Sequence, residues 1–357
     1  MSIFDNYSEI GKSNIKSTRS EFISSIGIDG TKSAIENVLL GGNVRDITEF
    51  IVQKRLANSY ASLLDLFACP DLLVFSNPTD YANAILAERD RARDDREKIL
   101  CLWLLGLTKK GLDNIVRGSN NLSDYVNAFS SSTIASLNSL EEDFGELSGT
   151  LKLGEKEFNV TWETLLPLLM AVGSQTLTIR GSAKSMNGKM FEKLVLGSLL
   201  SILGFRFYDQ PPRSVDTNEK AFWLSNMDVN ERETDATIVY HRKAISIDIG
   251  FIGKGNPEIT LDKVSRFGRY KDIGGIRHDM ATIIIVDTVA DNSDLINKAH
   301  RVNGHVIQMR HADWVAQFAN LLKTIYQINY DFVDYERPQY IEFLHSRLSA
   351  INITQFL

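Results

Sequence analysis

Cysteine is scarce in this chain: Cys69 and Cys101 are its two thiols in 357 residues. Two thiols cannot build a disulfide framework or a structural zinc site, and they suit a reducing cytoplasm. Long apolar runs are missing as well. Nothing approaches the roughly 18 residues of a membrane span, so no membrane partner is expected. The start, MSIFDNYSEIGKS, has neither the basic nor the apolar region of a secretory signal. None of the six histidines stands in HExxH spacing. There is no GxxxxGK[ST] loop and no GxSxG elbow. Metal chemistry, if this chain performs any, must rest on carboxylates, which favour Mg²⁺-like ions. Excess positive charge is lacking too: 39 Lys and Arg face 45 Asp and Glu, a net charge of −6. That average disfavours a strongly basic nucleic-acid binder.

What is present is a globular composition, 43% hydrophobic and 24% charged. The length suggests two domains, or one large domain with an arm. Residues 1–150 read as a mainly helical region, with helical periodicity over Ile35–Gln53, Leu56–Phe67, Tyr81–Leu107 and Ser130–Leu147. Within it, ERDRARDDREK (88–98) carries five acids and five bases. It predicts a solvated helix laced with i,i+4 pairs. Residues 151–357 read as α/β. A helix over Asn187–Phe205 leads through a polar excursion to β-like runs at Thr234–Tyr240 and Ala244–Ile252. A helix over 257–270 follows, then a strand at Ala281–Asp287. A short helix near 293–300, a strand at His305–Met309 and a helix over Ala312–Ile328 complete the pattern. Strands alternating with helices argue for a layered fold with a largely buried sheet.

The paired β runs hold the most specific signal. In AISIDIGFI, Ala244, Ser246, Asp248 and Gly250 share one face, and Ile245, Ile247, Ile249 and Phe251 the other. A turn centred between His241 and Arg242 places residues whose numbers sum to 483 opposite each other. Asp235 and Asp248 satisfy that sum. Their carboxylates would then sit across from each other, with Cβ atoms ~4.5–5.5 Å apart. A turn of odd length would shift the match by one residue. Adjacent carboxylates repel unless a cation or a shared proton lies between them. The plainer alternative is that one Asp caps a turn or meets an arginine. Glu192 adds a third acid, on the stripe of Val195, Leu196, Leu199 and Leu203. Its plain reading is a first-turn glutamate favoured by the helix dipole.

Helix-Glu, strand-Asp, second strand-acid, helix and strand, in that order, resemble the PD-(D/E)xK nuclease core. The pattern is similar to type II restriction endonucleases within that superfamily, those of the CfrBI kind among them. The resemblance covers about residues 180–325 and rests on GKMFEKLV (188–195), ETDATI (233–238) and SIDIGFIGKG (246–255). It implies an α/β fold with a mixed central sheet flanked by helices, and Mg²⁺-dependent hydrolysis of double-stranded DNA, with Mn²⁺ expected to substitute. Asp235 matches the first motif acid, Asp248 the second and Glu192 the helix acid. These three would be metal ligands. The motif's lysine falls on Gly250 here, a departure. Lys254 is the preferred replacement, with Lys263 next. Lys243 points to the opposite strand face. The missing lysine keeps open a catalytically degenerate DNA-binding protein. A structure-specific repair or recombination nuclease is the other alternative. The implied partners are DNA, a second copy of the chain and, genetically, a DNA methyltransferase.

Charge segregation supports a local DNA site. Residues 164–191 contain no acid in 28 positions but include Arg180, Lys184 and Lys189. The run TIRGSAKSMNGK there suggests a glycine-flanked helix N-terminus that binds anions. Residues 253–277 hold six bases against three acids. Candidate DNA contacts are Arg180, Lys184, Asn187, Lys189, Arg213, Lys263 and Arg266. Two ordinary solvated surfaces would give the same pattern.

Overall fold

The computed structural model describes residues 2–16, 18–43, 45–69, 77–117, 121–212, 216–225, 234–251, 270–273, 276–288 and 304–357. The helices expected at 257–270 and 293–300 lie outside these, except Tyr270, which begins a strand. Among the described residues the helices are α1 (Ile3–Asn6), α2 (Glu9–Ile15), α3 (Arg19–Ile26), α4 (Ile28–Leu39), α5 (Arg45–Phe67) and α6 (Pro78–Asp90). They continue with α7 (Asp95–Leu104), α8 (Lys109–Arg117), α9 (Leu122–Phe144), α10 (Trp162–Ile202), α11 (Trp314–Tyr326) and α12 (Arg337–Ser349). None is long and apolar enough to cross a membrane.

The chain divides into two compact units, one of residues 1–18 and 49–185, the other of 19–48 and 186–357. The expected boundary near 150 therefore differs from the observed one in two ways. The first unit continues into α10, and α3 and α4 join the second. The second difference has a packing cause. The Trp314 indole N–H donates to Val38 O at 2.8 Å, and Lys32 Nζ to Ser349 O at 2.7 Å.

The first unit is mainly helical. Leu63, Leu66, Trp103, Leu104, Phe129 and Ala171 lie in one buried cluster. The charged run 88–98 is not one helix. Asp94 accepts from the Arg96 and Glu97 amides, caps α7 and ends the continuity with α6. Arg93 then pairs with Glu97 at 2.7 Å and Asp5 at 2.9 Å. A hairpin absent from the sequence reading, β1 (Gly149–Leu153) and β2 (Lys156–Val160), precedes α10.

The helix expected over Ile35–Gln53 is likewise two, α4 and α5. Gly41, at φ 91, follows α4, where a Cβ would stand 3.0 Å from His311 O. Only glycine fits both the backbone angle and that approach.

The second unit holds a seven-stranded mixed sheet of β3 (Arg206–Phe207), β4 (Ala221–Leu224), β5 (Ala236–Tyr240), β6 (Lys243–Gly250), β7 (Tyr270–Ile273), β8 (Ile276–Val286) and β9 (Gly304–Gln308). The order is β3-β4-β5-β6-β8-β7, with β9 also on β8. The pairings β4–β5, β5–β6 and β7–β8 are antiparallel; β3–β4, β6–β8 and β8–β9 are parallel. Ile245, Ile247, Ile249, Ile283 and Ile285 are fully buried. On their face, the buried Tyr326 hydroxyl of α11 donates to Ile238 O at 3.1 Å. Helices thus flank a mixed sheet. Strand β4 (Ala221–Leu224) lies inside what reads as a polar excursion.

Candidate active site

The β5–β6 hairpin turns at His241 and Arg242, both left-handed at φ 48 and 58. Two consecutive left-handed residues make a turn whose twist matches the flanking strands. The ladder runs Tyr240 with Lys243, Val239 with Ala244, Thr237 with Ser246 and Ala236 with Ile247. Each pair sums to 483, the register that the turn arithmetic predicts.

One face of the hairpin changes character rung by rung. At the turn, Val239 and Ala244 join a buried apolar cluster with Ala221, Trp223 and Ile273. The next rung on that face pairs Thr237 with Ser246, both buried. Asp235 stands immediately before β5, and extending the ladder by one residue past Ala236–Ile247 would set it opposite Asp248. Asp248 is 4% exposed and Asp235 is half-buried. The Ile249 amide donates to Asp235 Oδ2 at 2.8 Å, which ties the first acid to the second acid's strand. Polarity therefore rises toward the carboxyl ends of parallel β6, β8 and β9, where open α/β sheets bind ligands.

Two carboxylates at neighbouring positions, one of them almost fully buried, favour a cation between them. The donors are oxygen alone, which suits Mg²⁺ or Mn²⁺ rather than zinc. The residues present thus fit a hard divalent ion. Among the described residues, no group of three or more His, Cys, Asp or Glu is gathered closely enough to hold a metal. The register brings together a pair.

Glu192 is half-buried on α10, beside the buried Val195, Leu196, Leu199 and Leu203. Because α10 begins at Trp162, Glu192 lies deep inside the helix. The first-turn dipole reading no longer applies to it. The same helix removes the predicted anion-binding N-terminus at residues 178–189. These are interior positions, whose amides serve the helix's own ladder. Buried Ile179, Ala183, Met190 and Phe191 carry the helix through Gly181 and Gly188.

Of the DNA-contact candidates, Lys189 is exposed on α10. Arg180 is exposed and grips Glu49 at 3.0 and 3.3 Å, which holds that carboxyl below its usual range. Asn187 is only 5% exposed, and its Oδ1 has no hydrogen-bond partner among the described residues. It does not present an amide to solvent. Arg213, Lys254, Lys263 and Arg266 lie outside the described residues, as does the Lys184 side chain. Gly250 pairs with Val286 at the end of β6. Lys243 donates to Ile325 O near the end of α11 at 2.7 Å, on the face away from Asp248.

The sequence reading missed two features. One is the Thr237–Ser246 rung, visible in the same alternation as the acids. The other is an ion pair at the strand ends: buried Asp287 holds Arg310 Nε at 2.8 Å, and its amide donates to Gly250 O at 3.2 Å. No spacing rule links residues 287 and 310; only the parallel β8–β9 pairing brings them together.

A mixed sheet with an acidic pair at the carboxyl ends of its parallel strands is a hydrolase-like arrangement, and sequence comparison supplies the class. The family model described as CfrBI restriction endonuclease matches residues 29–294. The chain belongs to this restriction endonuclease family. The type II restriction enzyme CfrBI of Citrobacter freundii is 33% identical over 352 residues, covering 96% of this chain and 95% of the relative. No solved structure matches.

Proposed function

We propose that the chain is a type II restriction endonuclease of the PD-(D/E)xK superfamily that hydrolyses double-stranded DNA with Mg²⁺ held by Asp235 and Asp248. The observation that supports this reading is the β5–β6 register, whose extension by one residue beyond Ala236–Ile247 would set Asp235 opposite Asp248. When bound, the ion supplies Lewis-acid charge at the scissile phosphate and acidifies water. Asp235 and Asp248 hold it. The Ile249 amide fixes the orientation of Asp235. Among the described residues, Glu192, on α10, is not gathered with them into a three-acid metal-binding group. Lys254, or else Lys263, supplies the cation that Gly250 cannot, offsetting charge that develops on the phosphate. Lys184, Lys189, Arg213 and Arg266 contact the DNA, and Mn²⁺ substitutes for Mg²⁺.

Cutting both strands of a symmetric site favours a twofold dimer. A cognate methyltransferase is the expected genetic partner, and the cytoplasm the expected compartment. Gly250 favours a second reading, a DNA-binding protein that has lost cleavage. Plasmid digestion decides between them. Discrete fragments with Mg²⁺, none with EDTA, and fragments again when Mg²⁺ is restored are expected. Intact plasmid with both Mg²⁺ and Mn²⁺, on DNA that the protein binds, favours the degenerate reading.

A further inference from the structure

The ion pair of Asp287 with Arg310 stands at the acidic end of the sheet. Strands β6, β8 and β9 are successive parallel neighbours, and Gly250, Val286 and Gln308 share one row across them. Asp248 precedes that row by two residues on β6, and Arg310 follows it by two residues beyond β9. On a flat sheet their Cα positions are about 16 Å apart, from the ordinary rise and strand spacing. That is too far for one charge to meet the other directly. It suits two groups that touch one DNA backbone, whose phosphates recur every ~3.4 Å of axis along each strand.

The backbone holds the pair in place. The Asp287 amide donates to Gly250 O at 3.2 Å, the Arg310 amide to Asp287 O at 3.3 Å and the Met309 amide to Val286 O at 2.8 Å. Burial is unequal: the Asp287 side chain is 13% exposed and that of Arg310 39%. The carboxylate is sunk, and the guanidinium reaches solvent. Their contact, at 2.8 Å, runs through Nε. A guanidinium has five N–H donors in a flat fork, more than one carboxylate can use. An arginine steadied in this way has given up side-chain freedom before a ligand arrives, and it keeps donors for a phosphate.

A pair that served the fold alone would gain nothing from being charged. Replacing a buried ion pair by packed apolar residues is often neutral or stabilising. What such a replacement would lack is a cation at this end of the sheet. Among the described residues, the bases within β6, β8 and β9 are Lys243 and Arg277, both near the amino ends of their strands. Arg310 stands beyond the carboxyl ends, with Asp248 and Asp235.

We propose that Arg310 grips a backbone phosphate of bound DNA beside the acidic pair, and that Asp287 is the positioning residue that aims it. The proposal rests on the reading of that pair as the DNA-cleaving site, and it adds a contact to the DNA side of it.

Binding of the full chain to linear plasmid DNA in EDTA tests the contact without cleavage. Each phosphate contact adds ~0.9 to the slope of log K against log salt. R310A/D287N removes the cation without stranding a buried carboxylate, and it is expected to lower the wild-type slope by about 0.9 with unchanged far-UV circular dichroism. R310K is expected to keep the slope, because lysine still offers a point charge. K323A, which removes an exposed cation in the last turn of α11, is expected to leave it unchanged. D287A and D287N alter charge equally, but only asparagine keeps an oxygen for Nε. D287A is expected to bind less tightly than D287N, and the difference to vanish in an R310A background. A wild-type slope in R310A/D287N, an equal loss in K323A, or a D287A–D287N difference that survives R310A would each overturn the proposal. The expected slopes on a plasmid that is never cut would support the contact and count against the cleavage reading alone.

Discussion

In the proposed mechanism Asp248 is a metal ligand, and it is almost entirely dehydrated. Asp248→Asn is then expected to remove metal binding: added Mg²⁺ should raise the melting temperature of the wild type and leave the variant unmoved. Cleavage should fall with it. A metal supplies several kcal/mol of transition-state stabilisation, so a loss of roughly 10²–10³-fold or more is expected. Thermal melts with and without Mg²⁺, beside plasmid digestion, check both. A variant that cuts normally would remove Asp248 from the mechanism. The register of the hairpin that holds this residue was legible because strand alternation and hairpin arithmetic are local rules. The partner of Asp287 was not, because it comes through a parallel pairing 23 positions along the chain.

At the scale of elements, the hairpin owes its register to a two-residue turn made from residues ill suited to it. His241 and Arg242 both adopt left-handed angles, at a cost of about 1–2 kcal/mol each for ordinary residues. The sequence Asn-Gly fits such a turn far better. H241N/R242G is expected to stabilise the protein by about 1 kcal/mol or more, measured by urea denaturation, with cleavage retained. Loss of cleavage would mean that the turn does more than set register. Edge strand β3 offers a pH-dependent counterpart. Glu219 accepts from the Tyr208 hydroxyl at 2.7 Å and from Arg206 at 3.0 Å, and these bonds hold its carboxyl below the usual range. A depressed folded-state pKa stabilises above the ordinary carboxylate pKa. That contribution disappears as pH falls through the depressed value. Glu219→Gln should therefore lower stability at neutral pH and leave it unchanged in strong acid, as read from denaturation midpoints across the acid range. The elements that escaped the sequence reading share a cause. Strand β4 is a four-residue apolar run inside polar surroundings. Helix α10 runs 41 residues through glycines that ordinarily punctuate. In both, packing overrides local composition. The β1–β2 hairpin did leave a signal, since Gly154, at φ 59, opens a two-residue turn between alternating strands.

On the scale of the molecule, chain order and spatial order differ. Residues 19–48 precede most of the first unit in sequence yet belong to the second. Polar contacts that attach them include the buried Trp314 N–H to Val38 O, Lys32 to Ser349 O and His345 to Glu36. Trp314→Phe deletes this donor while Val38 O keeps the Gly41 amide at 3.0 Å, so the loss is that of one hydrogen bond, about 0.5–1.5 kcal/mol. Hydrogen exchange should then accelerate across residues 28–39 and leave the first unit's core unchanged. Uniform acceleration throughout the chain would show that α4 is not a separately tethered element. The discontinuity also explains why composition alone suggested a boundary near 150. The helical and α/β characters do change there, whereas the packing units exchange a segment that composition cannot register.

One bond in the site has a use of its own. The Ile249 amide donates to the Asp235 carboxylate, so a backbone proton sits one bond from the charge that a metal would neutralise. That proton is a built-in sensor. Its amide resonance and exchange rate should report metal binding at the acidic pair directly, in protein that has neither met DNA nor turned over.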